Sequence, residues 1–201
     1  MLYPVNSLTI FPTLIQEYDL REYYDKDDII EFLYSEIKNG DAKASYGLFD
    51  NTVSSYNYKN NFFQNEYSTL LKKIMSCINL YAKEAGFKQQ KPANSWFNIG
   101  TYGADVKPHK HRDVNIASTF YPLFSKGSSN LILHRPIQEN LIPENQFIKS
   151  HCGKDTAYNN EKYELKIKEG HLYVWPAWLI HSAEPNTTGE RVTIALNTIN
   201  K

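Results

Sequence analysis

Two histidines and an aspartate stand at alternate positions near the middle of the chain, in the segment His109-Lys110-His111-Arg112-Asp113. If this segment is extended, the three side chains point to one face, because successive side chains of a strand alternate between faces. Imidazole and carboxylate groups suit a non-haem iron ion, and two histidines with one carboxylate leave coordination positions open for other ligands. The segment therefore predicts a divalent metal site.

A third histidine, His181, ends an apolar run far downstream and is followed by Arg191. Between them, the Pro-Asn and Gly residues of segment 185–189 predict a five-residue turn that joins two strands. In such a hairpin His181 faces Thr193 across the ladder, and Arg191 and Thr193 lie on its side of the sheet. One face would then carry a metal ligand, a hydroxyl and a guanidinium suited to bidentate capture of a carboxylate.

The elements that must position these residues fall into two groups. Apolar residues at helical spacing predict a helix that Asp27 or Asp28 caps and Asn39-Gly40 ends, and a second helix over 67–85, ended by Gly86. Beyond it, short runs rich in β-branched and aromatic residues predict antiparallel strands. The predicted strands are Ser95–Ile99, Ala117–Leu123, Asn130–His134, His171–Trp175, Trp178–His181 and Arg191–Thr198.

Helices followed by strands, without alternation of the two, predict an α+β, mainly β fold in which N-terminal helices buttress a closed or sandwiched β domain. The length of 201 residues favours one domain over 1–201, with a helical buttress and an N-terminal strand over 1–90 and a metal-binding β-barrel over 91–201. The polar segment 135–168 is too long for a simple turn, so we interpret it as a lid or a substrate-facing insertion.

The charge balance and the cysteine content exclude several classes. Lys plus Arg and Asp plus Glu both number 22, so the net charge is zero, and no basic stripe indicates a nucleic-acid partner. No stretch has the pattern of a signal peptide or the length of a membrane span, so we expect a cytoplasmic protein. The two cysteines, Cys77 and Cys152, do not suggest a disulfide.

Further segments extend these motifs into a longer pattern, tightest over 170–197. They are Ile10-Phe11-Pro12-Thr13, Trp96-Phe97-Asn98-Ile99-Gly100, His109-Lys110-His111, Phe120-Tyr121, Gly170-His171-Leu172, Pro176-Ala177-Trp178-Leu179-Ile180-His181, Pro185-Asn186 and Gly189-Glu190-Arg191-Val192-Thr193-Ile194-Ala195-Leu196-Asn197. Together they resemble the 2-oxoglutarate–Fe(II) oxygenases common in phages and marine bacteria, which are similar to the prolyl-hydroxylase-like dioxygenases.

This resemblance implies a double-stranded β-helix, a jelly-roll or cupin-like barrel. It also implies a hydroxylation that uses Fe(II), 2-oxoglutarate and O2 and releases succinate and CO2. Two ligand sets remain open. The family pattern implies His109, His111 and His181, whereas the usual two-histidine–one-carboxylate chemistry favours His111, Asp113 and His181.

Three residues receive roles from the same resemblance. Arg191 and Thr193 are expected to bind the distal carboxylate of 2-oxoglutarate, and Tyr102 is expected to hydrogen-bond the co-substrate or else to pack in a turn. Trp96 and Asn98 share one strand face by their spacing, so they either line the substrate pocket or fill the core.

Two alternatives also fit the sequence. A three-histidine site without a carboxylate suits a cupin-type metalloenzyme that does not use 2-oxoglutarate, although such an enzyme has no reason to place Arg191 and Thr193 beside its last ligand. The 15 tyrosines suit a non-enzymatic jelly-roll module that binds sugar or protein. For the enzyme we expect a small-molecule or peptide substrate, a location in the host cytoplasm if the gene is phage-borne, and an oligomeric state that stays open.

Overall fold

The computed structural model describes Asn6 and residues 12–45, 47–59, 61–65, 67–136 and 160–201. The described helices are α1 (Lys26–Asn39), α2 (Phe62–Asn65), α3 (Ser68–Ala85) and a 3-10 helix at Arg21–Tyr23. The described strands are β1 (Gln16–Asp19), β2 (Lys43–Ser45), β3 (Thr52–Ser54), β4 (Gln90–Gly100), β5 (Val106–His109), β6 (Ile116–Phe124), β7 (Leu131–His134), β8 (Lys162–Leu165), β9 (His171–Pro176), β10 (His181–Ala183) and β11 (Arg191–Asn200). Cys152 and most of the predicted insertion at 135–168 lie outside the described residues.

Both long helices are bounded by local caps. The Asp25 carboxylate accepts a hydrogen bond from the backbone N–H of Asp28 at 3.0 Å, so α1 begins earlier than the predicted cap at Asp27 or Asp28. Gly40 and Gly86 end α1 and α3 in the left-handed conformation, where glycine has no Cβ to clash, as predicted. Within the described part of the chain, no helix has the length and apolar character needed to cross a membrane.

The larger sheet has seven strands in the order β1-β9-β6-β11-β4-β3-β2. Its central strand, β11, pairs antiparallel with β4 on one side and β6 on the other. Alternate residues of β11, namely Val192, Ile194 and Leu196, are at most 1% exposed and lie in one apolar cluster with residues of α1 and α3. The helices therefore cover one face of this sheet, which leaves the side chains on its other face for the interior of the barrel.

The smaller sheet has four strands in the order β5-β10-β7-β8 and lies across from the uncovered face of the larger one. A second apolar cluster joins the two sheets: Tyr121 and Trp175 come from the larger sheet, and Leu131 and Leu133 from the smaller. Two antiparallel sheets enclosing a core in this way form the predicted double-stranded β-helix.

The predicted hairpin between His181 and Thr193 is wrong. Strand β10 pairs with β5 and β7 in the smaller sheet, whereas β11 belongs to the larger sheet, so the intervening turn crosses between sheets. The physical reason lies in Asn186, which is 2% exposed: its Nδ2 donates to the Gly100 carbonyl at 3.2 Å, and its Oδ1 accepts from the Ser129 backbone N–H at 3.0 Å. These non-local bonds hold the turn away from hairpin geometry.

Two further boundaries differ from the sequence-based expectation. Residues 178–180 form a turn, and the strand predicted over Trp178–His181 instead begins at His181. Residues Lys162–Leu165, which fall in the segment predicted to be a loop, form β8 at the edge of the smaller sheet. Three of the four β8 residues are exposed, so this strand lacks the apolar alternation that would have indicated it.

The packing of α3 on the larger sheet makes a prediction about stability. Ile74 is fully buried in the helix–sheet cluster, whereas Leu80 on the same helix is 61% exposed. We expect Ile74→Ala to lower the free energy of unfolding by roughly 2–5 kcal/mol, because the cavity left in the core adds to the lost transfer free energy. Leu80→Ala should change it by no more than about 0.5 kcal/mol. Urea denaturation followed by circular dichroism measures both, and equal losses would contradict this packing.

Candidate metal centre

Three histidines converge at one end of the barrel interior. His109 is the last residue of β5, His181 is the first residue of β10, and the two are directly paired in the smaller sheet. His111 follows two residues after β5, and its backbone N–H donates to the Ala177 carbonyl at 3.0 Å. One possible ligand nitrogen from each ring lies within 4.8 Å of the others, a separation that a single ion can bridge with a small movement of the rings.

The hydrogen bonds of the His109 and His181 rings decide which nitrogen of each can bind a metal. Nδ1 of His109 lies 2.8 Å from the Lys107 carbonyl, and Nδ1 of His181 lies 3.0 Å from the Leu179 carbonyl. A carbonyl only accepts, so each Nδ1 carries the hydrogen and each Nε2 keeps its lone pair. Backbone oxygens therefore fix both rings in the tautomer that binds a metal through Nε2.

Burial keeps these imidazoles neutral. Desolvation lowers the pKa of His109, lowers the pKa of His111 to about 4, and lowers the pKa of His181 well below its usual value. The neighbouring histidines lower the pKa of His111 and His181 further. At neutral pH the cluster thus offers neutral rings, the form in which histidine coordinates metal ions.

Asp113 is not part of this cluster. The strand β5 ends at His109, so the segment 109–113 is not extended throughout and its alternate side chains do not share one face. Asp113 has a positive φ of 61° and is exposed, and the group of nearby ligand atoms consists of the three histidines. The geometry thus agrees with the family pattern of ligands and not with the set that includes Asp113.

Arg191 lies in the same cavity as the histidines and is 6% exposed. Its Nη1 donates to the carbonyl and the hydroxyl of Ser129, at 3.0 and 2.6 Å. Burial lowers the pKa of Arg191, an effect that Tyr121 and Asp105 oppose, yet a guanidinium stays charged in proteins. Among the described residues, no carboxylate forms an ion pair with it. A buried charge of this kind calls for an anionic ligand.

A chain of hydrogen bonds gives Thr193 a defined direction. Ser54 Oγ accepts from the backbone N–H of Tyr56 at 3.2 Å and donates to Asn98 Oδ1 at 2.7 Å. Asn98 Nδ2 in turn donates to Thr193 Oγ1 at 3.2 Å. With the Asn98 amide in this orientation, every donor along the chain points toward Thr193. The Thr193 hydroxyl accepts from Asn98, and its own hydrogen remains for an acceptor in the cavity.

The cavity itself has a volume of about 650 Å³ including its mouth. Among the described residues that line it there is no aspartate or glutamate, while Arg191 supplies a positive charge. Trp96 and Asn98 also line it, and the Trp96 ring lies 6.0 Å from the His111 ring, centroid to centroid. The interior of the barrel is therefore suited to an anion.

Tyr121, and not the predicted Tyr102, lies at the cavity. Tyr102 is 76% exposed and does not line the cavity, so its position does not support the predicted contact with the co-substrate. Tyr121 on β6 is 4% exposed, lines the cavity and lies near enough to Arg191 to influence its pKa. Burial raises the pKa of Tyr121, which keeps its hydroxyl a donor. Alternation could have revealed it, since the adjacent Phe120 packs on the helix side of the sheet.

Comparison with known proteins identifies the class to which this site belongs. The chain matches the sequence model of the family described as "Putative 2OG-Fe(II) oxygenase" over residues 94–197, about half of its length. The matched segment runs from Asn94 on β4 to Asn197 on β11 and includes the three histidines and Arg191. No curated protein matches the chain in sequence.

Several solved structures have the same fold. A prolyl-4-hydroxylase from Pseudomonas putida has a TM-score of 0.58 at 11% identity, covering 94% of each chain. HygX from Streptomyces hygroscopicus, with nickel, 2-oxoglutarate and hygromycin B bound, has a TM-score of 0.57 at 11% identity, covering 94% of this chain and 84% of that one. A Trichoplax adhaerens prolyl hydroxylase in complex with a hypoxia-inducible-factor peptide fragment has a TM-score of 0.59 at 10% identity, covering 92% and 83%.

The fold and the matched segment together place the chain among the double-stranded β-helix oxygenases. It belongs to the 2OG-Fe(II) oxygenase family, whose reaction uses Fe(II), 2-oxoglutarate and O2. The predicted family, fold class, enzyme class and cofactors are thereby confirmed. The family assignment excludes the two alternatives suggested by the sequence, a cupin-type enzyme without 2-oxoglutarate and a non-enzymatic module.

The buried charge of Arg191 makes a prediction that is independent of any ligand. In the absence of 2-oxoglutarate, we expect Arg191→Met to leave the free energy of unfolding within about 1 kcal/mol of the wild type, or to raise it. Removing a buried charge that no described carboxylate pairs with recovers desolvation free energy, which offsets the lost bonds to Ser129. Ile194→Ala, on the opposite face of β11, should cost roughly 2–5 kcal/mol. Urea denaturation compares the two, and losses of similar size would show that Arg191 is needed for the fold.

Proposed function

We propose that this protein is an Fe(II)- and 2-oxoglutarate-dependent hydroxylase whose metal is held by His109, His111 and His181 and whose co-substrate is held by Arg191. The observation that carries the proposal is a buried guanidinium that forms no ion pair with any described carboxylate and lies in the same cavity as three neutral imidazoles. A cation at one end and a metal site at the other match a molecule with a distal carboxylate and a metal-binding keto acid.

The donor set fits Fe(II). Imidazole nitrogens are ligands that iron accepts, and three protein ligands leave positions for the co-substrate and O2. When bound, Fe(II) supplies the activation of O2 that couples the oxidative decarboxylation of 2-oxoglutarate, to succinate and CO2, with the oxidation of a substrate C–H bond. The chain's own contribution is to present three neutral rings, of which His109 and His181 are held by Nδ1 hydrogen bonds to backbone carbonyls with their Nε2 atoms free.

The other end of the cavity orients the co-substrate. Arg191 would bind the distal carboxylate with the N–H groups that do not bond Ser129, and the geometry of a guanidinium favours a bidentate contact. The Thr193 hydroxyl, which accepts from Asn98, would donate its own hydrogen to the same carboxylate. Tyr121 would add a second hydroxyl donor. These donors are buried and preorganised, so little reorganisation accompanies binding.

The substrate would approach from the metal end of the cavity. Trp96 lines the wall beside His111, and its ring can exclude water from the reacting C–H bond. Asn98 lines the same cavity but bonds Thr193, on the side of the co-substrate carboxylate. The neighbours of the same fold include one that binds a peptide fragment and one that binds hygromycin B, so we propose a peptide or small-molecule substrate. The fold is compatible with both, because substrate choice depends on loops and not on the barrel.

Calorimetry of 2-oxoglutarate binding tests the assignment of Arg191. Under anaerobic conditions with Fe(II) present, Arg191→Met should weaken 2-oxoglutarate binding by roughly 10²-fold or more, since a charge-assisted bidentate pair is lost. Metal affinity should change little. Arg21→Met, which replaces an exposed arginine outside the cavity, serves as the matched control and should bind like the wild type. If Arg191→Met bound 2-oxoglutarate with wild-type affinity, the distal carboxylate would have to bind elsewhere in the protein.

A paired substitution decides between the two ligand sets. His109→Ala should weaken Co(II) binding by more than the roughly 10- to 100-fold typical of losing a hydrogen-bond partner of a ligand, because a coordinating nitrogen is removed. Asp113→Ala should bind Co(II) as the wild type does, because that carboxylate is exposed and outside the cluster. Titration followed by the visible absorption of Co(II) gives both affinities. The reverse result would assign the third ligand to Asp113.

A further inference from the structure

The third histidine of the cluster differs from the other two in what its Nδ1 faces. Nδ1 of His109 and of His181 each face a backbone carbonyl, whereas Nδ1 of His111 lies 3.4 Å from Nδ2 of Asn197. Asn197 is 4% exposed and lies on β11, on the same face as Arg191. The buried Asn197 amide therefore faces the ring nitrogen of His111 that would not bind the metal.

The chemistry of a metal-bound imidazole conflicts with that arrangement of the amide. When Nε2 of a histidine binds a metal, Nδ1 carries a hydrogen and needs an acceptor. The Nδ2 group of asparagine is a donor, so it cannot serve. Turning the amide by half a rotation exchanges its two ends and brings Oδ1, an acceptor, toward His111 Nδ1. The side chain keeps its place and volume, so the packing around it is unchanged.

A neighbouring residue favours the turned amide. Asn94 on β4 lies directly opposite Asn197 in the antiparallel ladder, so the two side chains share one face. The Oδ1 of Asn94 is buried and has no hydrogen-bond donor among the described residues. After the turn, Asn197 directs its NH2 group away from His111, on the sheet face that it shares with Asn94. The same rotation thus gives the His111 Nδ1–H an acceptor and places an NH2 donor on the face of the unsatisfied Asn94 Oδ1.

We propose that Asn197 is a positioning residue for the metal site, with its Oδ1 accepting the Nδ1 hydrogen of His111 in the metal-loaded enzyme. The inference rests on the proposed role of His111 as a ligand. Asn197 would fix the tautomer and the rotation of His111, the ring of the cluster whose Nδ1 faces a side chain and not a backbone carbonyl in the described part of the chain.

Two substitutions at Asn197 separate this role from simple packing. Asn197→Leu removes the acceptor at nearly constant volume and should weaken Co(II) binding by roughly 10- to 100-fold. Asn197→Asp keeps only acceptor oxygens and should bind Co(II) at least as tightly as the wild type. If Asn197 acted as a donor, Asn197→Asp would instead weaken binding. Asn200→Leu is the matched control: it removes a polar partner of Gln90 at the C-terminal end of β11 and should bind Co(II) as the wild type does.

NMR of the Zn(II)-loaded protein measures the tautomer of His111, which would not depend on Asn197 if that residue only filled space. With ¹⁵N-labelled histidine, NMR should find His111 with Nε2 bound to the metal and a hydrogen on Nδ1, in the wild type and in Asn197→Asp. Urea denaturation of the metal-free variants checks that each is folded. Wild-type Co(II) affinity in folded Asn197→Leu, or weakened affinity in folded Asn197→Asp, overturns the inference. If the three-histidine site itself were wrong, His181→Ala would also bind Co(II) normally, which distinguishes the two failures.

Discussion

The site depends on one backbone register, the pairing of the short strand β10 between β5 and β7. His181 lies opposite His109 on one side and opposite Leu133 on the other, so its position is fixed from both edges. A slip of one residue along either neighbour would turn the His181 ring to the opposite face of the sheet and separate it from His109. The apolar cluster that joins the two sheets, which includes Leu133, stabilises this register by burying its side chains only when the strands are aligned.

Strand β11 links the cavity to the hydrophobic core, because one of its faces packs on the helices and the other lines the cavity. Val192, Ile194 and Leu196 face the helices, and the alternate residues, Arg191 among them, face the interior of the barrel. The helix-side packing therefore supplies the stability that a buried guanidinium requires, since burying a charge is unfavourable without a fixed partner. The two halves of the chain are in this sense interdependent: the N-terminal helices stabilise the strand that positions the Arg191 guanidinium.

Local patterns in the sequence were sufficient for the helices, the residue types of the site and the family, but not for the pairing of strands. Alternation correctly placed Arg191 and Thr193 on one face, yet it could not show that the turn after His181 crosses between sheets, because that depends on bonds from Asn186 to distant backbone groups. Tyr102 is predicted because it lies beside the metal motif in sequence, whereas Tyr121 lines the cavity because β6 pairs with β11. A tyrosine beside the metal motif in sequence is a poorer guide than one on a strand that is adjacent in space.

The charges of the cavity favour a dicarboxylate if the metal is held as proposed above. Three neutral imidazoles would leave the full double charge on a divalent ion, and the described residues that line the cavity add Arg191 but no acidic side chain. A dicarboxylate such as 2-oxoglutarate brings two negative charges, one for the metal end and one for the guanidinium. An aspartate ligand in place of His109 would neutralise part of the first attraction. In an interior of low dielectric, where such interactions are strong, the proposed three-histidine set would therefore favour dianions over monocarboxylates of similar shape.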